Sequence, residues 1–125
     1  DLLVVMITCC NNAATCCLQL HQWDRAHKFG KNALVLLDAL YEKKGNSKIH
    51  KILNGDGLGD SQLFGVWKVK SYLVIAKGLT ETHENQEALD NLKKAFEAVT
   101  IYKKEGDAKY QQLQGQEKQT RKLHI

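Results

Sequence analysis

The sequence predicts an all-α fold made of antiparallel helical hairpins that stack on one another. In four segments, apolar residues recur at spacings of three and four, the period of an amphipathic helix. The chain contains no proline, so nothing forces a break in a long helix. Small residues recur in the same order in two segments that lie 62 residues apart. Together these features indicate two related hairpins.

The composition is that of a small soluble domain: 125 residues, 43% hydrophobic and 26% charged. The net charge of +4 and two arginines are too little for a nucleic-acid surface, so no nucleic-acid partner is expected. The apolar run 2–7 is too short to span a membrane, so no membrane partner is expected. Because the chain starts at Asp1 within a helical pattern, we expect a preceding segment of a longer protein to pack on that run.

The first hairpin is predicted over residues 1–44, with helices at about 2–20 and 24–44. The end of the second helix is indicated by two lysines in its last turn, followed by Gly45 as a cap. This helix carries one apolar stripe, formed by Ala26, Phe29, Ala33, Leu36, Leu37, Leu40 and Tyr41.

Residues 45–61 are rich in glycine and predict a flexible insertion, with a short helical turn at 49–53. The second hairpin is predicted over 62–105, with helices at 62–83 and 85–105. Residues 106–125 form a polar C-terminal extension, interpreted as a capping helix or a frayed end. The inward positions of the second hairpin are Leu63, Trp67, Tyr72, Ile75, Ala76 and Leu79, then Ala88, Leu92, Ala95, Val99 and Tyr102.

Four cysteines stand in the stretch CCNNAATCC, at positions 9, 10, 16 and 17. On a helix, cysteines seven residues apart are separated by about 10 Å, too far for a disulfide. The spacing also differs from the usual zinc pattern, so no metal ligand and no cofactor are expected. The cysteines are interpreted as small buried apolar residues in a reducing compartment, which predicts a cytoplasmic location.

The internal repeat is carried by alanines. Ala14, Ala26 and Ala33 of the first segment match Ala76, Ala88 and Ala95 of the second. Small residues in these positions let two helices cross closely, and the large apolar residues between them need a neighbouring hairpin to cover them.

This pattern resembles the tetratricopeptide repeat (TPR). NAATCCLQLHQWDRAHKFGKNAL looks like one repeat and YLVIAKGLTETHENQEALDNLKKAFEA like the next, over roughly residues 5–42 and 66–103. The resemblance implies hairpins stacked as a right-handed superhelix. Two features depart from the family: the interval is 62 rather than 34 residues, and the closing proline is absent. The alternative is a generic four-helix bundle.

Such a superhelix presents a concave face formed by the first helix of each hairpin. Lysine ammonium groups and carboxamides on that face can hold an extended peptide through its carboxylates and backbone groups. The sequence therefore predicts a protein–protein interaction scaffold. The predicted outward residues are Thr8, Asn11, Asn12 and Thr15 on the first helix, and Lys70, Leu73, Val74 and Lys77 on the third.

The first repeat is also similar to the TPR domains of Hsp90 and Hsp70 co-chaperones, including immunophilins. That resemblance implies a carboxylate clamp for the acidic C-terminal tail of the chaperone. Asn12 falls on the clamp asparagine and Lys70 on a clamp lysine, whereas Val74 stands where the clamp arginine belongs. Two of five clamp positions match, and Lys77 is the nearest substitute for the arginine. The candidate peptide-binding residues are thus Asn12, Lys70, Lys77, Thr8 and Thr15.

Catalysis is the third class of function, and the sequence disfavours it. The five histidines have no partner pattern, and NGDGLGD at 54–60 matches neither a calcium loop nor a dinucleotide motif. We expect no catalytic residue in this chain. The alternatives are a different protein partner bound without carboxylate recognition, or the interaction domain of a larger enzyme such as a peptidyl-prolyl isomerase.

Overall fold

The computed structural model describes the backbone of residues 2–43, 60–99 and 106–124, and the side chains of 2–43, 67–98 and 111–122. Every regular element in these ranges is an α-helix. The helices are α1 (Leu2–Gln19), α2 (Trp23–Glu42), α3 (Asp60–Glu81), α4 (Asn85–Val99) and α5 (Gly106–His124). The predicted all-α class is confirmed, and residues of the predicted C-terminal extension form a helix.

Packing follows chain order. α1 pairs with α2 and α3 pairs with α4, and each pair forms an antiparallel hairpin around a three-residue turn. α3 packs extensively on α2 and less extensively on α1, while α5 packs on α4 and, over a smaller area, on α3. Each hairpin is therefore followed by a helix that touches both of its members.

The two hairpins turn in the same way. His21 and His83 both adopt the left-handed conformation, with φ of 59° and 64°, and they lie 62 residues apart. The amide of the next residue, Gln22 or Glu84, donates back to the carbonyl of Cys17 at 2.8 Å or Leu79 at 2.9 Å. Together with the bonds from the histidine amides, this is a Schellman motif, which closes the C-terminus of a helix.

The recurring alanines all lie in the core. Each of the six, Ala14, Ala26 and Ala33 in the first hairpin and Ala76, Ala88 and Ala95 in the second, has no exposed surface. Larger apolar residues fill the space between the helices. Ile7 packs with Leu37 and Leu40 in the first hairpin, and Val69 with Leu92 in the second. Leu34 of α2 packs against the cluster of α3 and α4, so the core continues from one hairpin to the next.

Two glycines allow α2 and α3 to approach closely. A Cβ at Gly30 would lie 2.6 Å from Cγ1 of Ile75, and a Cβ at Gly78 would lie 2.9 Å from the carbonyl oxygen of Trp23. Real side chains do not tolerate such distances. The interface between the hairpins therefore requires the absence of a side chain at both positions.

The structure corrects three predicted outward positions. Asn11, Leu73 and Val74 were expected on the concave face, but they are only 3%, 8% and 5% exposed. Asn11 points into the contact between α1 and α3, where its Oδ1 accepts a hydrogen bond from the hydroxyl of Ser71 at 3.1 Å. Leu73 joins the core of the second hairpin.

Helix ends differ slightly from those predicted. α2 ends at Glu42 with Lys43 as its C-cap, and α3 begins at Asp60, two residues before the predicted start. The predicted cap at Gly45, the helical turn at 49–53 and the inward positions at Leu63, Val99 and Tyr102 lie outside the described residues or side chains.

Candidate peptide-binding groove

A groove of about 410 Å³ lies where the first helix of each hairpin meets α5. Because α1, α3 and α5 each contribute, it belongs to the face on which the sequence predicts a binding site. Its lining side chains combine carboxamides, a hydroxyl, two charges and an aromatic ring: Thr15, Leu18, Gln19, Trp23, Lys77, Glu81, Gln116 and Gln119.

Two of the five predicted site residues meet in this groove. Thr15 comes from α1 and Lys77 from α3, and Lys77 is the repeat equivalent of Thr15. Thr8, Asn12 and Lys70 are exposed on the same two helices but do not line the groove. The structure therefore places one predicted hydroxyl and one predicted ammonium group in the same groove. The other three candidates, Thr8, Asn12 and Lys70, lie on the adjoining surface.

The hydroxyl groups of Thr8 and Thr15 already donate hydrogen bonds within α1. Thr8 donates to the carbonyl of Val4 at 2.9 Å, and Thr15 donates to the carbonyl of Asn11 at 3.0 Å. Their oxygens retain accepting capacity, so either can receive a peptide N–H. The lysines are different, because neither Lys70 nor Lys77 forms an ion pair with any described side chain.

α5 supplies the wall of the groove that the sequence did not reveal. Gln116 and Gln119 face α1 and α3 across the groove. The helix is held in place by a buried hydroxyl pair, Thr80 and Thr120, whose oxygens are 2.9 Å apart. Leu113 adds a fully buried side chain in the core of the second hairpin. The only sequence signal for this helix was the apolar pair Tyr110 and Leu113, spaced by three residues in an otherwise polar segment.

The charge of the groove is balanced. Lys77 is accompanied by Glu81 one turn later on α3. Val74 is buried between Lys70 and Lys77 in sequence, so no cation stands at the position where a clamp arginine is expected. Seven residues on a helix span about 10 Å, which keeps the two ammonium groups apart. A carboxylate in this groove would meet one free cation and one anion.

An aromatic side chain lies at the end of the groove near the first hairpin turn. Trp23, the first residue of α2, is half-buried. Its ring stacks on His21, with ring centroids 5.0 Å apart and planes 20° from parallel. The left-handed turn residue thereby contacts the indole ring, and the indole offers an apolar surface beside the carboxamides.

A larger groove of about 790 Å³ lies between α4 and α5. Its charged lining residues are three acidic residues, Asp90, Glu97 and Glu117, and two basic residues, Lys93 and Arg121. None of the predicted binding residues lies there, and none of its residues comes from α1 or α3. The smaller groove is therefore the candidate site.

The cysteines are the remaining reactive groups among the described residues. Within the described side chains, no three histidine, cysteine, aspartate or glutamate residues gather as metal ligands. The four thiols are unpaired, and the interpretation of the cysteines as buried apolar residues is wrong for two of them: Cys9 and Cys16 are exposed, Cys10 is half-buried and Cys17 is buried. Burial, and secondarily the neighbouring Cys9, raise the pKa of Cys10.

α1 as a whole is long and apolar enough to cross a membrane, with a mean hydropathy of 1.5 over Leu2–Gln19 and 22% of that window buried. The expectation that no membrane partner binds was drawn from the short run 2–7 alone, and it does not take the length of the whole helix into account. Length and composition do not separate a membrane span from a signal sequence or from a helix that packs on protein. Comparison with protein-family models, with curated proteins and with solved structures finds no match to this chain.

Proposed function

We propose that the protein is a protein–protein interaction scaffold that binds an extended peptide in the groove between α1, α3 and α5. The observation that carries the proposal is the lining of this groove: three carboxamides, from Gln19, Gln116 and Gln119, converge from two helices beside the half-buried Trp23. Carboxamides both donate and accept, which matches the alternating groups of a peptide backbone.

The arrangement of the helices supports a repeat scaffold of the TPR type over a closed bundle. α1 and α4 form no substantial interface, whereas α3 lies between α2 and α4. The identical turns at His21 and His83 support two copies of one unit. In an open array of such units, the first helices line one face, which is where the groove lies.

The proposal extends to the acidic C-terminal tail of Hsp90 or Hsp70 as the ligand. Lys77 supports it, because this ammonium group is exposed and has no carboxylate partner among the described side chains. Glu81 in the same groove disfavours it. A different peptide, bound through its backbone without carboxylate recognition, fits the carboxamides equally well. Either ligand suits a non-catalytic cytoplasmic protein.

The test begins with peptides selected from a random-sequence phage library on the full chain. Thr15→Trp, which fills the groove, is expected to abolish their binding. Gln111→Trp is the matched control, because Gln111 is exposed on α5, does not line the groove and lies away from the helix face that carries Gln116 and Gln119. Binding that survives Thr15→Trp unchanged would place the peptide elsewhere and contradict the proposal.

The chaperone tail is tested separately by titrating a peptide that ends in EEVD, beside the same peptide amidated at its C-terminus. A charge-assisted hydrogen bond contributes about 1.5–3 kcal/mol, so Lys77→Ala is expected to weaken binding of the free acid about ten-fold or more. Added salt should weaken it further. Equal affinities for the two peptides would exclude carboxylate recognition and leave the general scaffold intact.

A further inference from the structure

α1 carries a second face that the groove does not use. Leu2 is 72% exposed, Val5 57% and Met6 41%, and the exposed Cys9 and Cys16 continue the same side of the helix. From residue 2 to residue 23 the chain contains no Asp, Glu, Lys or Arg. An uncharged face that is both apolar and exposed needs a specific explanation.

The repeat supplies one, because the equivalent face of α3 is an interface. Shifting Val5, Cys9, Ala13 and Cys16 by 62 residues gives Trp67, Ser71, Ile75 and Gly78. These four residues form the side of α3 that meets α2. Trp67 packs on the Leu37 cluster, Ser71 and Ile75 adjoin Gly30, and Gly78 adjoins Trp23 and His27.

We infer that the stripe of α1 formed by Leu2, Val5, Cys9, Ala13 and Cys16 is the docking surface for a further helical hairpin of this repeat type. The second helix of that hairpin would cover α1 as α2 covers α3, at a slightly greater distance near Cys16, where α3 has Gly78. The stripe then continues an interface that the chain already contains. This inference goes beyond the peptide groove and does not depend on it, since the groove residues lie on another side of α1.

The side chains of the stripe define what the occupant must look like. A Cβ at Gly30 would meet the side chain of Ile75, whereas the equivalent residue of α1 is the smaller Ala13. Such a Cβ also lies 3.2 Å from the carbonyl oxygen of Ser71, so at that crossing the occupant has room for alanine and not for a larger residue. Cys16 is larger than its equivalent Gly78, where an added Cβ would lie 2.9 Å from the carbonyl oxygen of Trp23 and 3.3 Å from Cβ of His27. Opposite Cys16, the occupant therefore lies farther from α1 than α2 lies from α3 at Gly78, and glycine at the position of His27 removes the second contact.

A second copy of the chain does not provide this helix. The face of α2 that would dock is already covered by α3 of the same chain. α5, at the other end of the described helices, differs from α1, because its exposed described residues are glycine or polar: Gln111, Gln112, Gln114, Gly115, Lys118, Gln119, Arg121 and Lys122. A polar outer face is soluble without a partner helix, and the stripe of α1 lacks such polar residues.

The test adds one hairpin to the full chain. A copy of residues 2–63 is placed directly before Leu2, so that α1 follows the added α2 at the spacing with which α3 follows α2. In the added copy the cysteines are replaced by alanine, and His27→Gly and Gly30→Ala fit it to α1. Alkylation of Cys9 and Cys16 is expected to slow at least about ten-fold compared with the unextended chain.

The matched control carries Gly30→Glu in the added copy, which buries a charge against α1, and its thiols should react as fast as in the unextended chain. Cys17, already buried, reports that the original fold is intact. Unchanged alkylation of Cys9 and Cys16 with the fitted hairpin, whether or not that hairpin is helical, overturns the inference. Protection of both thiols in the unextended chain, by self-association in sedimentation or by phosphatidylcholine vesicles, overturns it in favour of a second copy or a membrane.

Discussion

α1 and α3 hold the same position in the two hairpins, 62 residues apart, yet their surroundings are opposite. Ser71 and Ile75 of α3 have no exposed surface, whereas the equivalent Cys9 of α1 is exposed and Ala13 is half-buried. The difference does not come from hydrophobicity, since both helices are rich in apolar residues. It arises because α2 covers this side of α3, whereas none of the described helices covers the equivalent side of α1.

The comparison shows that the burial of residues on a helix in an array depends on the neighbouring helices. α3 contacts α1, α2, α4 and α5, and it buries even the polar Ser71 and Thr80. The single proton of each hydroxyl has an acceptor in its own helix, the carbonyl of Trp67 at 2.9 Å or of Ala76 at 2.7 Å, and a second partner across the interface, Asn11 or Thr120. A buried hydroxyl with a partner is tolerated, so a polar residue is no guide to the exposed side of such a helix.

The largest expected effect contrasts Gly78 with Cys16. Gly78→Leu places a side chain against the backbone of Trp23 and should lower the free energy of unfolding by about 1–3 kcal/mol. Cys16→Leu, at the equivalent exposed position, should change it by no more than about 0.5 kcal/mol. Urea denaturation followed by circular dichroism measures both. A further control is Gly115→Ala, where nothing lies within 4 Å, which should stabilise the helix.

The next contrast uses two adjacent asparagines of α1. Asn11 is buried and accepts a hydrogen bond from Ser71, whereas Asn12 is exposed. Asn11→Ala should cost about 1 kcal/mol of unfolding free energy, because the hydrogen bond between α1 and α3 is lost. Asn12→Ala should be neutral in the same urea denaturation. Equal effects would mean that α1 is rotated about its axis and does not direct Asn11 towards α3.

The two left-handed histidines provide a smaller contrast. Glycine adopts this conformation without steric cost, so His83→Gly should stabilise the protein by about 0.5 kcal/mol after the entropy cost of glycine. His21→Gly should gain less, because it also removes the stacking on Trp23. Thermal unfolding of the two variants side by side gives the difference. A larger increase in stability for His21→Gly than for His83→Gly would contradict a stabilising contribution of the His21–Trp23 stacking.

The smallest expected effect concerns thiol reactivity within α1. Because burial raises the pKa of Cys10, a smaller fraction of this thiol is ionised at a given pH, and only the thiolate reacts. Cys10 should therefore be alkylated more slowly than Cys9 at pH 8, and the difference should narrow as the pH rises. Mass spectrometry of iodoacetamide-treated protein resolves the two residues after digestion in Cys9→Ala and Cys10→Ala variants.

Much of the fold was predictable because helices and alanine crossings leave a periodic signal. The burial of all six recurring alanines follows directly from their spacing. Asn11, Leu73 and Val74 were assigned to the wrong side because periodicity identifies the main apolar stripe but not a second or third contact. Two groove residues, Thr15 and Lys77, could be predicted from the sequence. Gln116 and Gln119 could not, because the position of α5 depends on the buried Thr80–Thr120 pair, and no sequence pattern predicts that contact.

The most direct test of the difference between α1 and α3 is the accessibility of a thiol at two equivalent positions. One variant retains Cys9 alone, and the other carries Ser71→Cys as its single cysteine, with alanine at the remaining cysteine positions. Cys9 is expected to react with a thiol reagent nearly as fast as a free peptide, and the thiol introduced at position 71 at least about 100-fold more slowly. Equal rates at the two positions would contradict the stacking of α3 on α2 and with it the proposal for α1.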